Sequence, residues 1–100
     1  MKSKSFNTTK KTAFEVCKRS LIDFECEILS SDFYAGTIEA KRGGGLLSYG
    51  HNISVVVKTN NNGKIKISVS SNSVGVQIIG WGTNSENENG LIRLISSSFG

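Results

Sequence analysis

The stretch from Ile53 to Ser70 constrains the fold more than any other part of this 100-residue chain. Ile53, Val55 and Val57 alternate with Ser54, Val56 and Lys58, and Ile65, Ile67 and Val69 alternate with Lys64, Lys66, Ser68 and Ser70. A period of two sends successive side chains to opposite faces of a strand, so each run has one dry and one wet side. Between the runs, Asn60-Asn61-Asn62-Gly63 supplies residue types that tolerate the left-handed backbone of a tight hairpin. The spacing predicts an antiparallel hairpin whose apolar face the rest of the chain must cover.

Two more strands are expected upstream. Phe24, Cys26 and Ile28 alternate with Glu25 and Glu27, and Ser30, Ser31 and Asp32 mark a turn. Tyr34, Gly36, Ile38 and Ala40 then alternate with Thr37, Glu39 and Lys41 in a strand over 34–41. Helical spacing occurs at the two flanks. Ala13, Phe14, Cys17, Leu21 and Ile22 fall at three- and four-residue intervals, predicting a helix over 9–22 that Thr8 or Thr9 caps. Leu91, Ile92, Leu94 and Ile95 form a second stripe, and Ser85 with Glu88 has the spacing of a capping box, predicting a helix over 85–97. Residues 74–81 fit either a fifth strand or an extended approach to that helix. Gly90 inside the helix costs about 1 kcal/mol relative to alanine.

The simplest way to bury both helical stripes is to lay the pair on the dry side of one sheet. The expected fold is an α+β two-layer sandwich, an antiparallel sheet of four or five strands with two helices on one face, in the order α-β-β-β-β-α. The other face, with Glu25, Glu27, Thr37, Glu39, Ser54, Val56, Lys58, Lys64, Lys66, Ser68 and Ser70, is left to solvent or a partner.

The formal charge of +4 invites a nucleic-acid reading. Four of the cations, Lys2, Lys4, Lys10 and Lys11, lie at the start of the chain, and the remaining cations and anions balance. Residues 1–8 therefore read as a disordered basic tail and 9–100 as one domain. No apolar run of the roughly 7–15 residues that a secretory signal needs is visible near the start, and no window approaches the roughly 20 apolar residues of a membrane span. The default expectation is a cytoplasmic protein, unless a leader has been removed. Cys17 and Cys26 match neither a zinc-ligand pair nor a Cys-x-x-Cys motif and are expected as buried thiols.

Asp32-Phe33-Tyr34-Ala35-Gly36-Thr37-Ile38-Glu39-Ala40, a serine- and glycine-rich break, Ile53 to Val57, and Gly80-Trp81-Gly82-Thr83-Asn84 before a closing amphipathic helix resemble small bacterial domains of unknown function. The resemblance implies a helix, four antiparallel strands and a helix, and no activity. Some of those domains have an aspartate where this chain has Gly80, and many carry a lipidation signal that this chain lacks.

Chemistry-bearing residues are few. His51 is the lone histidine and so the one ordinary general base near neutral pH. It follows Gly43-Gly44-Gly45-Leu46-Leu47-Ser48-Tyr49-Gly50, which lacks the following helix that a phosphate-binding loop requires. Leu46, Leu47 and Tyr49 would form a small contact site if exposed. Lys58, Lys64 and Lys66 offer charge for phosphates, without the interleaved aromatic residues of single-strand RNA binders. Glu25, Glu27 and Glu39 read as solubilising charges, and Trp81 as a plug between helix and sheet. No metal or cofactor is expected. The leading expectation is a non-enzymatic module that meets a protein partner or a second copy through the open sheet face or the 43–50 loop. The alternatives are a small-ligand-binding protein or hydrolase using His51, and weak nucleic-acid binding through the lysines.

Overall fold

The computed structural model describes residues 2–42, 51–73 and 81–99. The element order is β1 (Lys2–Phe6), α1 (Lys10–Asp23), β2 (Cys26–Asp32), β3 (Thr37–Arg42), β4 (His51–Thr59), β5 (Ile65–Ser73) and α2 (Trp81–Phe99). The strands form one antiparallel sheet in the order β1-β5-β4-β3-β2. Helix α1 lies over β2 and β4, α2 over β5 and β1, and the helices touch each other. The α+β two-layer arrangement expected from the periodicities is the one observed.

The alternation of the hairpin sets the core. Ile53, Val55, Val57, Ile65, Ile67 and Val69 are buried together with Ile38 and Ala40 of β3. Ala13, Phe14, Cys17 and Leu21 of α1 and Leu91 and Ile95 of α2 close over them. Each large aliphatic side chain removed from water in this way contributes about 1.5–3 kcal/mol. Thr9 caps α1, its hydroxyl accepting the Thr12 backbone N–H at 3.2 Å.

The fifth strand comes from the opposite end of the chain to the one considered. Residues 2–6, expected within a basic tail, form β1 and pair with β5 in continuous register from Lys2↔Val69 to Phe6↔Ile65. The order is thus β-α-β-β-β-β-α in place of α-β-β-β-β-α. Tail-like composition was outweighed by two anchors. Phe6 is buried with its ring 4.7 Å from that of Phe99. Ser3 and Ser68 share a hydroxyl hydrogen bond of 2.9 Å on the other face. Two of the four N-terminal lysines, Lys2 and Lys4, consequently belong to the sheet, and the Lys4 ammonium donates to Ser96 Oγ at 3.3 Å. The alternatives considered for 74–81 mostly lie outside the described residues, except that Trp81 opens α2.

Boundaries also move. Ser30, Ser31 and Asp32, expected to mark a turn, are the last residues of β2 and pair with Glu39, Ile38 and Thr37. The third strand starts at Thr37 and not at Tyr34, because Asp32 to Gly36 form a turn: Asp32 Oδ1 accepts the Ala35 N–H at 3.1 Å and Asp32 O accepts that of Gly36 at 2.8 Å. Tyr34 is then 93% exposed, not inward. Helix α2 starts four residues before Ser85, so Ser85 and Glu88 are interior and form no capping box at its start.

Gly36 has φ +72°, and a Cβ there would collide with the Val57 carbonyl oxygen. The close approach is functional in the sheet, since the Val57 N–H donates to Gly36 O at 2.7 Å. Gly36→Ala is expected to lower stability by roughly 2–4 kcal/mol in chemical denaturation. Glu25, just past α1, is the one non-glycine residue with positive φ among those described, at 62°. An exposed side chain in this conformation is strained, so Glu25→Gly is expected to raise stability by about 0.5–1 kcal/mol in the same assay.

Candidate functional site

With both helices on one side, no described element covers the opposite sheet face, and registration turns its residues into rows. One row is Glu27, Lys41, Asn52 and Asn72; the next is Ser30, Glu39, Ser54 and Ser70. Asp32, Thr37, Val56, Ser68 and Ser3 follow, and Lys58, Lys66 and Ser5 end the series. The expected composition of this face holds for the paired positions, whereas Glu25 lies in the turn before β2. Ser54 Oγ donates to Glu39 Oε2 at 2.6 Å, a charge-assisted bond between neighbouring strands. A β-bulge between Ile28 and Ser30 interrupts the β2 edge and leaves Leu29 exposed, a device that discourages indiscriminate pairing at a free strand edge.

The expected site residues fall into separate places. Lys58 and Lys66 are directly paired across β4 and β5, and Lys64 precedes β5 on the same hairpin; all three are exposed. His51 opens β4, seven residues from Lys58 and therefore roughly 23 Å away along the strand. Leu46, Leu47 and Tyr49 lie outside the described residues.

His51 shares an inner-face row with Arg42 and Cys26, both registered through Arg42. Two strand spacings put Cys26 and His51 roughly 10 Å apart at the backbone, with Arg42 between them, so they do not form a nucleophile–base pair. Cys17 is fully buried, and loss of solvation pushes its thiol up to about 12. Burial also raises Cys26, opposed by the nearby Arg42 charge. Thiols shifted in this direction are poor nucleophiles at neutral pH. Among the described residues no group of three or more histidine, cysteine or acidic side chains is placed to hold a metal ion.

The sequence reading missed a polar knot between the sheet and α2. Arg42 donates from Nη1 to Asn87 Oδ1 at 2.7 Å and from Nε to the Phe24 carbonyl at 3.1 Å, with its guanidinium 4.0 Å from the Phe24 ring centroid. Asn87 Nδ2 donates to Ser71 Oγ at 3.3 Å, and Glu88 Oε2 accepts the Ser71 backbone N–H at 3.0 Å. The reason for that last bond is topological. Ser71 lies two residues past Val69, the partner of Lys2 in the β1–β5 register, and the Glu88 carboxylate accepts its N–H where that register gives no strand partner. Gly90 fits the same packing, because a Cβ there would come within 3.1 Å of the Phe24 ring. The knot fastens β3, β5 and α2 together, and its geometry is that of a structural bridge. Its signals were present: Arg42 continues the inward parity of Ile38 and Ala40, and Asn87 and Glu88 precede Leu91 by four and three positions.

Iodoacetamide at pH 8 is expected to leave Cys17 unmodified in the native protein and to alkylate it in denaturant, as read by mass spectrometry. The thiol ionises near its ordinary 9.0 when unfolded and near about 12 when folded. Its contribution to stability is therefore complete below pH 9 and declines as pH rises from there towards 12, a slope that Cys17→Ala is expected to flatten.

Compared with models of known protein families and with curated proteins, the chain matches none.

Proposed function

We propose that the protein is a non-enzymatic interaction module whose outer sheet face meets a protein partner or a second copy of the chain. The observation that carries this reading is the placement of both helices on one side of a five-stranded sheet, which leaves a registered face on the other that no described element covers. That face combines hydroxyl and carboxamide groups with carboxylates towards β2 and β3 and ammonium groups at the β4–β5 hairpin. Such a surface supplies hydrogen-bonding specificity and a charge gradient that orients a partner. The 43–50 loop belongs to the same proposal as a second contact.

Light scattering coupled to gel filtration, with affinity capture from the native cell, tests the reading. The wild-type chain is expected to self-associate or to retain a defined partner. Ser54→Arg, in the middle of the face, is expected to abolish that association, while Glu15→Gln on α1 leaves it intact. A strict monomer that retrieves nothing, or an association indifferent to Ser54→Arg, overturns the proposal for this face.

A further inference from the structure

We infer that the hairpin corner of the outer face binds a phosphate-type oxyanion. Lys58 and Lys66 are directly opposed across β4 and β5, and like charges at such positions destabilise a sheet unless something of opposite sign lies between them. The acidic groups in the rows of this face do not supply it: Glu39 is engaged by Ser54, and Glu27 and Asp32 lie on β2, three strands from Lys66. Lys64 adds a third cation two residues before Lys66.

A cleft of about 490 Å³ lies over this pair, lined by Lys58, Thr59, Asn60, Asn61, Asn62 and Lys66. Two of the carboxamides are oriented by the protein itself. Asn60 Nδ2 donates to Ser5 Oγ at 3.1 Å, and Asn62 Oδ1 accepts the Lys64 backbone N–H at 3.1 Å, leaving the Asn62 amino group as a donor. Two ammonium groups and an amide N–H₂ make a cleft rich in donors, which suits a multiply charged oxyanion with several acceptor atoms. A cation would be repelled there. The inference names a ligand chemistry for one corner of the face proposed above and rests on that reading. The two are separable by experiment, because Ser54→Arg reports on partner association and the lysine variants report on the anion.

The test is titration of the full chain with sodium phosphate against sodium chloride at matched ionic strength, followed by amide NMR shifts and by thermal unfolding. Phosphate is expected to move the amides of residues 58–66 saturably and to raise Tm above the chloride control. The double variant Lys58→Gln with Lys66→Gln is expected to lose both responses while its Tm without phosphate is unchanged or higher, since the like-charge opposition is gone. Lys11→Gln with Lys18→Gln, on α1, is expected to keep both. No localised shifts and no rise in Tm with either phosphate or a short single-stranded oligonucleotide overturns the inference, as does a response that survives in the Lys58/Lys66 double variant. A parallel titration with a short single-stranded oligonucleotide assigns the source. A response to inorganic phosphate identifies a small anion, and one to the oligonucleotide alone, lost in the double variant and steeply salt-dependent, identifies nucleic-acid phosphates as the oxyanion.

Discussion

Everything in this molecule hangs on β5. It pairs on both sides, with its sequence neighbour β4 through a tight hairpin and with β1 across about sixty residues. It also supplies the buried surface on which α2 rests, through Ile67 and Val69. Loss of its alternation would uncouple the first strand and the last helix together. The polar side of the same strand delivers Lys66, Ser68 and Ser70 to the open face. One period-two pattern thus defines both what holds the fold and what the fold presents.

Elements whose periodicity is strong were legible before any coordinates. Helix α1, the central hairpin and the apolar stripe of α2 follow from the positions of Phe14, Cys17 and Leu21, of Ile53 to Val69, and of Leu91 and Ile95. Strand β1 was not legible, because one phenylalanine among lysines and serines carries no periodic signal, and its pairing is decided by the free edge of β5. The start of α2 was obscured by a local motif. Ser85 and Glu88 have capping-box spacing, yet Glu88 is worth more to the structure satisfying the amide of Ser71. Arg42 was passed over for a similar reason: a charged residue at an inward position reads as the end of a strand, although it can be partly buried when Nε and Nη1 find acceptors. As for the face, its composition was visible in the sequence, but the pairing of Lys58 with Lys66 required the register of the hairpin.

The polar knot and the open face divide the labour of the polar residues. Asn87, Ser71 and Arg42 are consumed in fixing α2 against the sheet, and their hydrogen bonds compensate one another in a low-dielectric setting. Across the sheet, Ser5, Ser54 and Asn62 keep part of their hydrogen-bonding capacity at the surface. Both cysteines sit on the first side of this division, as protonated thiols with packing roles.

The pairing of β1 with β5 has a consequence for how the molecule is made. During synthesis Lys2–Phe6 emerges well before its hydrogen-bonding partners at Ile65–Val69, which follow about sixty residues later. For that interval the segment must wait without a partner, at the stage when an exposed strand is most prone to pair wrongly. Its alternating lysines and serines suit that wait, since they keep the unpaired segment hydrated and mutually repelled from copies on neighbouring nascent chains. Closing this distant contact places Phe6 to meet Phe99, so its seal is complete only after α2 has followed.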